Sequence, residues 1–147
     1  MVHIVVPISA GELIDKITIL RIRAEKLTDV AKLDNVRHEL DQLVAIRGQS
    51  KLDIEDLALW EERLLRLNRE LWWLEDELRG HEQSGDFGAN FVALARLVYK
   101  LNDERSAVKK QISQATGSSI VEEKSYTFVV GRGGSGPSKE SSIDAEQ

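Results

Sequence analysis

The polar side chains in this chain that are best placed for chemistry lie beside or within the apolar seams of predicted helices. This set of candidate binding residues comprises Asp15, Lys16, Asn68, Glu75, Arg79, Asn102, Arg105 and Lys109. A charge near a core must be paired or reach solvent, because burying it alone costs several kcal/mol. We therefore predict a polar layer within an otherwise apolar bundle, made of Asp15, Lys16, Asn68, Glu75, Asn102 and Arg105.

Two interpretations of this layer stay open. In the first it fixes the register of the helices, as a single buried Asn does in a coiled coil. In the second it is a ligand site, in which Lys16, Arg105 and Lys109 hold an anion. Asp15 and Glu75 would then handle Mg²⁺ or protons.

Metal chemistry has weak support. Glu12-Leu-Ile-Asp15 has the ExxD form of all-helical, metal-dependent nucleotide pyrophosphatases, and Glu75 with Asp76 would be the facing carboxylates. Acids are abundant in this chain, so coincidence explains the match equally simply. The three histidines lack paired ligand spacing, and the absence of cysteine excludes thiolate sites. We predict no cofactor, with Mg²⁺ entering only under the second interpretation.

Two helices are predicted before residue 50. Ser9 and Glu12 fit a capping box that starts the first helix. This helix is apolar on more than one side, which predicts a central position among several neighbours. Asp29 caps the second helix, and Gly48 is predicted to end it in a left-handed conformation.

Two longer helices follow, over 53–81 and 86–116. Asp53 and Asp86 are the predicted caps, and Gly117 ends the last helix. The third helix has a leucine-rich a/d repeat typical of coiled coils. A short loop between two long rods predicts an antiparallel hairpin.

Short β-rich runs at 2–6 and 126–130 are predicted to form strands, because they are β-branched and could pair with each other. The fold class is therefore mainly α, an antiparallel bundle of four helices with a short β-strand at each end. We predict one domain over 1–130 and a disordered Gly/Ser-rich tail over 131–147.

Composition narrows the class of partner. The net charge is −5, and no Lys/Arg cluster is free of interleaved acids, so nucleic acid is not an expected partner. The N-terminal apolar run is too short for a signal peptide or a membrane span. We expect a cytoplasmic protein with no membrane partner.

Several strings of the sequence look familiar. They are GELIDKITIL at 11–20, LNRELW at 67–72, NDER at 102–105 and EEKSY at 122–126. Together they resemble an uncharacterised family of small bacterial helical proteins, a domain of unknown function, over about residues 2–128. The resemblance implies a bacterial intracellular protein and suggests a link to cell-surface sugar metabolism. It implies no activity and no catalytic residue.

Two hypotheses for function follow. The favoured one is a non-enzymatic helical interaction or scaffold protein, a homodimer or the partner of another protein, because Trp73 points away from the leucine seam. The alternative is a small-molecule binder or Mg²⁺-dependent enzyme that acts on an anionic, nucleotide- or sugar-linked ligand.

Overall fold

A computed structural model describes residues 1–125 and shows four helices there. These are α1 (Ala10–Lys26), α2 (Val30–Gln49), α3 (Leu57–Ser84) and α4 (Ala89–Ala115). The mainly α class and the helical bundle are confirmed. None of these four helices has the long uncharged apolar stretch that crossing a membrane requires.

The antiparallel hairpin of α3 and α4 holds the core. Its helices meet along the predicted seam, with Leu64 fully buried and Leu71 and Leu101 nearly so. Gly85 joins them in the left-handed region, at φ 68°, where a residue without Cβ carries no steric penalty. The hairpin prediction is confirmed.

Helix α1 lies at the centre of the bundle, as its apolar pattern predicts. Ile14, Ile17 and Ile22 are at most 1% exposed, and α1 contacts α2, α3 and α4. Its N-terminus lies very close to α4. A Cβ atom on Gly11 would stand 2.1 Å from the carbonyl oxygen of Lys109, so this crossing requires glycine.

Helix α2 packs on α1 and buries only Val36. Its C-terminal end reaches α3 through Arg47, which donates to Glu61 over 2.7 Å. Arg21 of α1 donates to the same carboxylate over 2.6 Å. Glu61 therefore ties three helices together.

Several predicted boundaries are wrong. Residues 2–6 form no strand, because an extended segment needs a neighbouring strand and none lies beside them in the described part. Gly48 lies inside α2. Asp53 precedes the N-cap of α3, and Asp86 precedes the N-cap of α4 but accepts a bond from the Gly88 amide. The predicted strand at 126–130 and the tail at 131–147 lie outside the described residues.

The hairpin extends beyond α1 as an arm, which we define as residues 75–84 of α3 and 89–100 of α4. The side-chain bonds that join α1 to the hairpin reach residues 61–69 and 105–113 only. No residue from 75 to 100 is buried. In the arm, each of the two helices therefore packs on the other, and no further helix of the described residues covers them.

Candidate functional site

A buried ion pair between α1 and α4 is the centre of the site. Asp15 is 0% exposed, and its carboxylate accepts from Arg105 through both oxygens. The Nε–Oδ1 distance is 2.9 Å and the Nη2–Oδ2 distance is 2.6 Å. This bidentate geometry is the strongest form of Arg–carboxylate contact and fixes the plane of the guanidinium.

Two asparagines complete the pair. Asn68 of α3 donates to Asp15 Oδ1 over 2.8 Å and to the Thr18 hydroxyl over 3.0 Å. Asn102 accepts from Arg105 Nη1 over 3.2 Å and donates to the Val98 carbonyl over 3.1 Å. The predicted polar layer therefore brings together Asp15, Asn68, Asn102 and Arg105, from three helices.

A second ionic cluster adjoins the first at the start of α1. Lys109 binds Glu12 and lies 3.0 Å from Glu122 Oε2 and 3.9 Å from Asp15 Oδ2. The Ser9 hydroxyl donates to the other oxygen of Glu122 over 3.2 Å. Glu122 therefore brings the segment after α4 back to the N-terminus of α1.

The charges in these clusters stabilise one another. The hydrogen bond to Asp15 raises the pKa of Arg105. Burial lowers the pKa of Lys109, but its bonds to Glu12 and Glu122 outweigh this effect, and the pKa is raised overall. Burial favours a higher pKa for Glu122, but its contacts with Lys109, Glu12 and Ser9 together outweigh burial, and the pKa is lowered overall. All these groups are therefore ionised at neutral pH.

A pocket of about 190 Å³ opens beside the Asp15–Arg105 pair, between α1 and the base of the arm. Its wall combines cations, amides, one carboxylate and apolar groups, namely Ile19, Ile22, Arg23, Asn68, Leu71, Trp72, Glu75, Asn102 and Arg105. Among residues 1–125, the Arg23 side chain has no hydrogen-bond or ion-pair partner. Arg105 keeps one N–H on each terminal nitrogen beyond its bonds to Asp15 and Asn102.

Asn68 contributes an acceptor to this pocket. Its amide nitrogen makes both of its bonds, while its carbonyl oxygen accepts none within the described residues. Asn68 is 6% exposed, and this oxygen is not a buried unsatisfied atom, so a small part of its surface is accessible. The pocket thus offers both donors and acceptors.

The other predicted site residues lie apart from the buried pair. Lys16 is exposed, on the side of α1 that faces solvent, so its placement in the polar layer is wrong. Glu75 and Arg79 are also exposed and pair with each other at 3.4 Å. Only Glu75 of these lines the pocket. The predicted polar layer therefore included residues that the structure places in solvent.

Three contributors to the site are absent from the predicted set of binding residues. Arg23 lies one turn after Ile19 on the pocket face of α1, and its spacing was an available signal. Trp72 shares the Asn68 face and lines the pocket. Glu122 lies in a run of three charges after α4, and its partner in the structure, Lys109, depends on the path of the chain after that helix.

A metal centre is not present in the described part of the chain. No three His, Asp or Glu side chains there come together with the geometry that a metal ion requires. Glu12 and Asp15 bind Lys109 and Arg105 instead. The ExxD string therefore serves ion pairing in this fold.

These features define a mainly helical bundle with a buried ionic network and an adjoining polar pocket. The model of a family of unknown function (DUF6165) matches residues 4–143, and the chain belongs to this family. No curated protein and no solved structure matches the chain.

Proposed function

We propose that this chain is a small-molecule-binding protein whose pocket takes the monophosphate ester of a sugar or a similar small polyol. The observation that carries the proposal is that one pocket holds two cations, the pre-oriented Arg105 and Arg23, whose side chain has no partner within residues 1–125. Guanidinium groups recognise phosphate oxygens through paired N–H donors. Arg105 is held rigidly by Asp15, so little entropy is lost when it binds a ligand.

The rest of the pocket wall suits hydroxyl groups. The Asn68 carbonyl oxygen and the Glu75 carboxylate accept from O–H donors. Trp72 provides a flat apolar surface for the C–H face of a sugar ring. A ligand with one anionic end and several hydroxyls matches this combination better than a purely apolar one does.

The volume sets the size of the ligand. About 190 Å³ holds roughly six water molecules at ~30 Å³ each, which is less than the ~300 Å³ or more of a pocket for drug-sized molecules. A phosphate and the nearest part of a monosaccharide occupy such a space. A nucleoside triphosphate is too large for it.

The register interpretation of the polar layer is compatible with this proposal. The Asp15–Arg105 pair holds α1 on the hairpin and, through the same contacts, fixes the guanidinium of Arg105, which lines the pocket. Structure and binding then share one arginine. Arg23 has no such double role, which makes it the better residue for a test.

Isothermal titration calorimetry with glucose 1-phosphate, glucose and inorganic phosphate tests the proposal. We expect glucose 1-phosphate to bind more tightly than either fragment. Arg23→Met should weaken it about 10- to 100-fold, since a hydrogen bond to a charged group contributes about 1.5–3 kcal/mol.

Lys26→Met is the matched control, because Lys26 is an exposed cation in the same last turn of α1 but does not line the pocket. Its affinity should stay within about twofold of the parent protein. The proposal is wrong if glucose 1-phosphate does not bind, or if the two variants weaken binding equally.

A further inference from the structure

The face of the hairpin that α1 covers at its base continues along the arm, where no other helix within residues 1–125 covers it. On α4, Asn102 lines the pocket beside α1, and Phe91, Ala95 and Tyr99 lie on the same helical face toward the tip. On α3, Glu75 and Arg79 continue the face of Asn68. We call these five arm residues the arm groove.

The arm groove needs a covering element on physical grounds. Tyr99 is 52% exposed, and Phe91 and Ala95 are half-buried. Two helices that pack only on each other leave one side of their apolar seam in water, and short helices are marginal without tertiary packing. The arm nevertheless carries an aromatic cluster at its tip, with the rings of Phe87 and Phe91 5.2 Å apart.

We infer that the occupant is the arm of a second copy of this chain, packed antiparallel across a two-fold axis at Ala95. The α4 stripe reads aromatic, small, aromatic in both directions, so reversal sets Phe91 of each copy against Tyr99 of the other. Ala95 meets its own counterpart, where a small side chain allows close approach of the helices.

The charged residues of the arm groove also fit this two-fold symmetry. Asn68 and Arg105 both bind Asp15, which sets the two helices in register and places Ala95 level with Leu78. The two-fold axis then brings Arg79 of each copy within reach of Glu75 of the other, twice per dimer. Within residues 1–125 of the single chain, Glu75 pairs only with Arg79, and Arg79 pairs only with Glu75 and Asp76.

The area of the proposed interface indicates the affinity of the dimer. About ten residues per helix at ~1.5 Å each, with helices ~10 Å apart, give a face of roughly 15 by 20 Å on each copy. The two faces together cover roughly 600 Å², which is below the ~1,200 Å² of stable specific interfaces and typical of weak, transient contacts. We therefore expect a reversible dimer with micromolar affinity, in which two arms make one short four-helix bundle.

Sedimentation velocity of the full chain from about 1 to 300 µM tests this inference. The parent protein should shift from monomer to dimer across that range. Ala95→Glu and Ala95→Lys should each remain monomeric, since each sets like charges against each other at the axis. A 1:1 mixture of the two variants should dimerise again, because the charges are then opposite.

The matched control is Trp73→Glu. Trp73, at 53%, is about as exposed as Tyr99, but it precedes the arm and lies on the face of α3 opposite to Glu75. The Trp73→Glu variant should dimerise like the parent protein. Circular dichroism should show equal helix content in all variants. The inference is overturned if the parent protein stays monomeric, if the mixture stays monomeric, or if Trp73→Glu dissociates the dimer.

Discussion

The close crossing of α1 and α4 makes Gly11→Ala the most informative change in stability. An alanine Cβ would lie 2.1 Å from the Lys109 carbonyl oxygen and 2.7 Å from its carbonyl carbon. These are backbone atoms, which no rotamer change can move. Reaching ordinary contact at 3.4 Å requires α1 to withdraw by about 1.3 Å, the difference between the two distances.

Such a withdrawal stretches the contacts that fix α1. The Gly11 amide donates to the Ser113 hydroxyl over 3.0 Å, and the buried Asp15–Arg105 pair lies one turn further along. Overpacking of this kind costs about 1–3 kcal/mol. A glycine-to-alanine change in a helix otherwise stabilises the folded state by about 0.5–1 kcal/mol. The steric cost at Gly11 is expected to be larger than this stabilisation.

Gly80→Ala is the matched control, because Gly80 lies inside α3 with no atom within 4 Å of its Cβ position. Urea denaturation followed by circular dichroism, at one protein concentration, should show Gly80→Ala stabilised by about 0.5–1 kcal/mol. Gly11→Ala should be destabilised, by about 1–2 kcal/mol net. Equal stability of the two variants would refute the close crossing.

Three further predictions concern the ionic groups. Arg105→Met should destabilise the fold by about 3–5 kcal/mol in urea denaturation, because it leaves Asp15 buried without its cation, and adding Asp15→Leu should recover much of the loss. The pKa of Glu122 in the folded protein is below its ordinary value of 4.5. Its contribution to stability is therefore fully present above pH 4.5 and is lost as the pH falls through the folded pKa. Lys109→Met should reduce this loss of stability in acid, measured as the unfolding free energy against pH. Glu61→Gln should increase amide hydrogen exchange in α2, since it breaks the ion pair that joins this helix to α3.

The apolar pattern predicted the hairpin and the central helix, because burial of a continuous seam leaves few alternatives. It also predicted the convergence of Asp15, Asn68 and Arg105, since helical spacing places each at the edge of its seam. The prediction for Lys16 is wrong because Lys16 follows Asp15 directly, about 100° around α1, and this places its side chain in solvent rather than in the core.

Other features depend on tertiary contacts that local sequence does not encode. Gly11 reads as an ordinary residue of the first turn until α4 is placed against it. The capping box accounted for Glu12 fully, so its bond to Lys109 could not be anticipated. Residues 2–6 have strong β-propensity, but they form no strand because no other strand lies beside them within residues 1–125.

The pocket can be tested directly through the indole N–H signals of the chain's three tryptophans. Trp72 lines the pocket, whereas its neighbour Trp73 is exposed on the outer side of α3. When glucose 1-phosphate is titrated into ¹⁵N-labelled protein, the Trp72 signal should move and saturate while the Trp73 signal stays in place. Immobile signals, or equal movement of both, would contradict the binding of a sugar phosphate in this pocket.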